Sequence, residues 1–210
     1  MIEIRSLKKV FDKRVIFENI NLNIYEGEII GFVGPNGSGK SVLFKIICGF
    51  LKPTAGSVSY DGKIIGKDID FIPSLGVLIE KNGFIEEYNH FKNLQYLAQI
   101  KNKISDQDIR DTLIAVGLDP NDKTKVKKYS LGMRQKLGIA QAIMEDPKIL
   151  VIDEPFNSLD KETVKKIHKI IINMKENGCT IFLTSHIPGD IDELADKIYE
   201  FNNNTLELLK

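Results

Sequence analysis

The sequence predicts an α/β fold: a mainly parallel sheet covered by helices, an antiparallel β subdomain on the N-terminal side, and an inserted helical subdomain. Three observations predict it. Short apolar runs at 29–33, 149–152 and 180–184 are each followed by a stretch with helical patterning, as expected of strands buried on both faces of a parallel sheet. The opening third instead alternates apolar and polar residues, the period of a half-buried strand. Residues 80–146 read as mostly helical.

The chain has 210 residues, 42% of them apolar and 28% charged, which suits one domain with its own core. The expected division is a core at 1–79 and 147–210 that includes the β subdomain, with the helical subdomain at 80–146. Twenty-nine basic residues balance 29 acidic ones. A formal net charge of zero argues against a protein whose main task is coating nucleic acid. Cys48 and Cys179 lie in apolar surroundings and read as buried small hydrophobes in a reducing compartment. The start MIEIRSLKKV lacks the apolar stretch of a signal peptide, and no run approaches the roughly 18 apolar residues of a membrane span. The expectation is a cytoplasmic chain that reaches a membrane only through a partner.

Taken in order, Ile20, Leu22 and Ile24 alternate with Asn19, Asn21 and Asn23, a strand with one wet face. In SVSYDGKII, residues 57–65, Asp61-Gly62 separates two β-prone runs. Both residues tolerate positive φ, so a type I′ hairpin is expected. The run at 29–33 leads into a helix over 40–50, and the run at 149–152 into one from about 161 to 176. The run at 180–184 leads into the helical pattern of DIDELADKI, residues 190–198. Further helices are expected at 90–101, 106–116 and 131–145. Asn202-Asn203-Asn204 reads as a turn before a short last strand.

Residues 34–41, GPNGSGKS, match G-x-x-x-x-G-K-[ST] between a strand pattern and a helix pattern. The composition follows from the chemistry of phosphate. Gly34, Gly37 and Gly39 let the backbone curl so that N–H groups, including those around Pro35, Asn36 and Ser38, point inward at phosphate oxygens. A helix N-terminus adds partial positive charge. Lys40 is a compact cation for the β and γ phosphates, and the Ser41 hydroxyl suits Mg²⁺. The core is therefore read as that of a P-loop nucleotide hydrolase.

ILVIDEP, residues 149–155, is an apolar strand that ends in two carboxylates. At the C-terminal end of a parallel strand, Asp153 can reach the Mg²⁺ held by Ser41. Glu154 can orient or deprotonate the attacking water.

With these residues in place the chain resembles the ATP-binding subunits of ABC transporters over nearly its whole length. The discriminating segment is YSLGMRQKLGIAQAI, residues 129–143, which is similar to the family's LSGGQ signature. Read from the residues alone, Ser130 is an N-cap, and Gly132 is costly in a helix by up to ~1 kcal/mol. The resemblance implies that Ser130 and Gly132 meet the γ-phosphate of ATP on an opposing subunit. Leu131 and Met133 depart from the signature and match a variant common in bacterial export-type subunits. Asp160, in Ser158-Leu159-Asp160, resembles the D-loop position. His186, in TIFLTSHI, resembles the switch histidine, and Phe11 stands where the family stacks an aromatic on adenine. Glu80, in GVLIEKNGF, replaces the family's usual glutamine and brings a full negative charge there. The IEKNGF…NL pattern resembles bacitracin- and lantibiotic-type export and immunity ATPases.

The resemblance implies an enzyme that binds ATP and Mg²⁺, pairs with a second such subunit around two ATP molecules, and drives a separate transmembrane permease without nucleic acid. Export of a peptide antibiotic or similar amphipathic compound is the expected use. Two other classes compete with it. A soluble ABC ATPase acting on a target such as the ribosome usually carries a second cassette, a coiled coil or a basic extension. A non-catalytic nucleotide-binding module has no need of Lys40, Ser41, Asp153, Glu154 and His186 together.

Overall fold

The structure, a computed structural model, describes residues 1–80, 83–185 and 189–210. Two sheets form the frame. Strands β1 (Ile2–Phe11), β2 (Arg14–Ile24), β4 (Ala55–Tyr60) and β5 (Lys63–Ile64) make an antiparallel sheet in the order β2-β1-β4-β5. Strands β3 (Ile29–Val33), β6 (Leu75–Leu78), β7 (Ile149–Ile152), β8 (Thr180–Thr184), β9 (Lys197–Asn202) and β10 (Thr205–Leu208) make the second, ordered β10-β9-β3-β8-β7-β6. Strands β9, β3, β8, β7 and β6 run parallel, and β10 joins β9 antiparallel at the edge. The mixed α/β architecture with a mainly parallel sheet is the one expected.

The helices are α1 (Lys40–Ile47), α2 (His90–Lys101), α3 (Asp106–Ala115), α4 (Leu131–Ile143), α5 (Lys161–Glu176) and the short α6 (Asp190–Leu194). Their starts follow capping chemistry. Asn89, Ser105, Ser130 and Asp160 each accept a bond from a backbone N–H in the first turn of the helix they open, satisfying one of its orphan donors.

Period-two alternation in the apolar strands splits the interior into two cores. Leu150 and Ile152 of β7 face one side with Ile181 and Leu183 of β8, packing on α2, α3, α4, α5 and α6. Ile149, Val151 and Phe182 face the other, against α1 and the antiparallel sheet. On that side Phe32 lies edge-on to Phe44 at 5.6 Å between centroids and stacks on Phe182 at 6.4 Å. All three are fully buried, each contributing on the order of 2–3 kcal/mol by leaving water.

The hairpin lies where expected. Tyr60 pairs with Lys63 across Asp61 and Gly62, at φ +47° and +77°. Asn203 and Asn204, both at positive φ, turn β9 into β10. Cys48 and Cys179 are buried, and burial pushes each thiol up to about 12, beyond ordinary reactivity.

Two expectations need correction. The helix expected over 40–50 stops at Ile47, because Gly49 leaves the helix at φ +82°. The helical pattern of 190–198 yields only α6. Lys197 and Ile198 instead pair with Ile30 and Gly31 in β9, so tertiary pairing overrides local periodicity. Strand β6, four residues including Gly76, is too short to stand out as a strand in the sequence. It takes its place by pairing with β7.

Candidate functional site

Strand order decides what meets at the C-terminal edge of the parallel sheet, where ligands of such folds gather. Strand β3 delivers the Gly34–Ser41 loop, β7 delivers Asp153 and Glu154, and β6 leads to Glu80. His186 follows β8, which lies between β3 and β7, but it lies outside the described residues.

The loop has the backbone that phosphate cradling requires. Gly34, Gly37 and Gly39 stand at φ +140°, +77° and +113°, which other residues enter at a steric cost. A Cβ at Gly39 would lie 2.9 Å from Ile16 Cγ2, so that glycine is also needed for space. No side chain caps α1, which leaves its first N–H groups for an anion. Ser38 Oγ is buried in the loop without a hydrogen-bond partner. Lys40, only 7% exposed, turns back to donate to the carbonyls of Gly34 at 2.7 Å and Pro35 at 3.1 Å.

The Ser41 hydroxyl donates to Asp153 Oδ2. Hydroxyl and carboxylate oxygens are a hard donor set that suits Mg²⁺ with phosphate oxygens. Asp153 Oδ1 accepts from the Thr184 hydroxyl at 2.6 Å, and that hydroxyl accepts from the Glu154 N–H at 2.8 Å. Arg14, Ile16, Asn36, Gly37, Gly39, Lys40, Ser41, Asp153 and Glu154 line one cavity of about 220 Å³. Arg14 and Thr184 were missed in the sequence. Nothing local marks Arg14, while a threonine closing an apolar strand just before His186 was the available signal for Thr184.

Phe11, at the end of β1, is 42% exposed, with Lys9 Nζ 4.5 Å from its ring centroid. An exposed face of this kind suits stacking on a base. Glu80 takes φ +59° and pairs with Lys45 of α1, Nζ to Oε1 2.6 Å. Its carboxylate thus answers to a cation of the helix that opens at the phosphate loop.

Ser130 is exposed at the start of α4, and its hydroxyl accepts from the Met133 N–H at 3.2 Å. Gly132 has a requirement within the chain, because a Cβ there would stand 2.7 Å from the Ser158 carbonyl oxygen. Asp160 caps α5, accepting from the Thr163 N–H and hydroxyl at 2.9 Å each. Those bonds hold its carboxyl below the ordinary range. Ser130 and Asp160 therefore have structural duties whatever else they meet.

A phosphate loop at a helix N-terminus, with a hydroxyl and a carboxylate converging below it, defines a nucleotide triphosphate hydrolase of the P-loop class. The ABC transporter family model matches residues 17–157, and the chain belongs to that family, as an ATP-binding domain that hydrolyses ATP with Mg²⁺. It is 42% identical over 207 residues to the uncharacterised ABC transporter ATP-binding protein YybJ of Bacillus subtilis (strain 168), covering 99% of this chain and 95% of that protein. It is 36% identical over 198 residues to the lantibiotic transport ATP-binding protein SrtF of Streptococcus pyogenes, covering 94% of this chain and 85% of SrtF. Among solved structures, the ATP-binding cassette MJ0796, as a dimer in a post-hydrolysis state with ADP and Pi, superposes with a TM-score of 0.87. That match has 24% identity and covers 100% of this chain and 99% of that chain.

Proposed function

We propose that this ATPase works as one of a pair of subunits that close around two ATP molecules and drive a separate membrane permease, exporting a peptide antibiotic or similar amphipathic compound. The observation that carries the reading is the convergence of Lys40, Ser41, Asp153 and Glu154 on one cavity at the sheet edge.

In this reading the Gly34–Ser41 backbone and Lys40 hold the phosphates, and Phe11 stacks on the adenine. Ser41 and Asp153 hold Mg²⁺, which when bound neutralises charge on the phosphate oxygens. Glu154 accepts a proton from the attacking water. The water oxygen bonds to the γ-phosphorus as the bond to the β–γ bridging oxygen breaks, and ADP leaves. His186 contacts the γ-phosphate. Ser130 and Gly132 serve the ATP of the partner, and Asp160 lies on the same contact. Pairing is supported by Leu131, which is 72% exposed beside Ser130, and by the dimeric state of the MJ0796 cassette. Loss of the γ-phosphate releases the pair.

One feature supports a permease. Phe50 and Phe71 pack at 5.9 Å with more than half of each exposed, just past the helix that carries Lys45. Two exposed aromatics packed together offer an apolar surface that a partner could cover. Among the described residues no helix is long and apolar enough to cross a membrane. The peptide class is supported by the transport role in the name of SrtF.

Two measurements test the proposal. The tagged chain is isolated from detergent-solubilised native membranes; a stoichiometric multi-span partner is expected, and recovery of ribosomes or of no membrane protein overturns the transport reading. Glu154→Gln should keep ATP binding and lose nearly all turnover, and a variant that retains most of its rate removes Glu154 from the base role.

A further inference from the structure

Glu154 stands at φ +52°, a left-handed conformation that a non-glycine residue holds only where its surroundings impose it. Its backbone is gripped from two sides. From the sheet, Thr184 Oγ1 accepts from the Glu154 N–H at 2.8 Å while donating to Asp153 Oδ1 at 2.6 Å. From α4, Gln135 Nε2 donates to the carbonyls of Glu154 and Pro155, both at 3.0 Å. Thr184 is fully buried, so its hydroxyl has no competing water. Gln135 uses its amide to bridge consecutive carbonyls, which fixes the peptide between them as well as the residue itself.

We infer that Thr184 and Gln135 are positioning residues that hold Glu154 where it meets the attacking water, and the inference rests on the base role proposed above for Glu154. Neither needs to touch nucleotide. Thr184 ties the base to the metal-binding carboxylate, so the two carboxylates keep a set relation. Gln135 ties the base to the helix opened by Ser130 and carrying Gly132. A Cβ added at Gly132 would stand 2.7 Å from Ser158 O, so that helix lies close to the segment following Glu154. A shift of α4 is thereby felt at the Glu154 peptide. Displacement of a reacting group by about 1 Å costs on the order of a hundredfold in rate.

Valine matches threonine in shape and can make neither bond, and methionine matches glutamine in length without its donors. Thr184→Val and Gln135→Met are each expected to lower kcat by about 10- to 100-fold, with the KM for ATP and the affinity for a fluorescent ATP analogue within about threefold of wild type. Thr184→Ser, which keeps the hydroxyl, should restore most of the rate. In a Glu154→Gln background at saturating Mg²⁺, which offsets the lost Thr184 bond to Asp153, neither change should lower the residual rate further, because the positioning acts through Glu154. The two variants lie in different elements, so misfolding of one leaves the other to be read. A folded Thr184→Val or Gln135→Met with kcat within about twofold of wild type overturns the inference. So does a loss that Thr184→Ser fails to restore, or one that persists in the Glu154→Gln background. If Glu154→Gln alone retains turnover, the base role itself has failed; if it is inactive while both variants are normal, only the positioning has failed.

Discussion

The Ser41 hydroxyl at the mouth of α1 hydrogen-bonds to the carboxylate of Asp153 at the end of β7, across 112 positions of sequence. Only the parallel sheet, in which β3 and β7 flank β8, brings them together, and both groups are oxygen donors of the kind Mg²⁺ prefers. Asp153→Asn keeps the shape and removes the charge. Magnesium-dependent ATPase should fall by more than about 100-fold, since even indirect partners of metal ligands contribute about 10–100-fold. Titration of Mg²⁺ against the rate checks this, and an unchanged Mg²⁺ midpoint overturns it.

Lys40 donates to the carbonyls of Gly34 and Pro35 and is almost fully covered. Nucleotide must draw it away from these neutral acceptors, which charged phosphate oxygens can do. A charge-assisted bond contributes about 1.5–3 kcal/mol, so Lys40→Ala should weaken ATP binding by roughly 10- to 150-fold. Calorimetry with ATP reads this directly, and unchanged affinity refutes the phosphate role.

Gly132→Ala separates a requirement inside the chain from the one proposed across a dimer. Alanine gains up to about 1 kcal/mol of helix propensity, but its Cβ would stand 2.7 Å from the Ser158 carbonyl oxygen. Backbone does not swing aside as a flexible side chain does, and overpacking costs about 1–3 kcal/mol. The isolated monomer should lose about 1 kcal/mol in urea unfolding without nucleotide. Equal or greater stability would leave Gly132 with the proposed role in trans alone.

Asp196 predicts a pH dependence. Burial pushes its carboxyl up, but the Ile29 N–H at 2.8 Å and the Lys175 ammonium at 2.5 Å more than offset this and hold it below the ordinary range. A carboxyl depressed in the folded state stabilises the fold at pH above its unfolded value of about 3.9, and that stability is lost as pH falls through the lower folded value. Asp196→Asn should therefore be less stable near neutral pH, by at most about 1 kcal/mol because the pair with Lys175 is partly exposed and screened. The gap should close in acid. Urea midpoints of both chains across that range check it, and a gap that widens as pH falls refutes it.

Much of this was legible because it is local. The GPNGSGKS composition, the apolar runs ending in the loop and in Asp153-Glu154, the Asp61-Gly62 hairpin and the capping residues are written within a few positions of one another. Backbone propensity and burial periodicity act over such distances. Glu80 marks the limit: its added charge was evident in the sequence, but its partner Lys45 was not.

Tertiary structure alone decided the rest. Lys197 and Ile198 carry a helical pattern yet form β9, because the edge of β3 offers a ladder that outweighs local preference. Thr184 and Gln135 read as an ordinary strand end and an ordinary helical residue until the fold brings both onto Glu154. Hydrogen bonds between groups far apart in the chain depend on relative placement of elements, to which periodicity and propensity are blind, and a strained residue such as Glu154 persists only where such placement holds it.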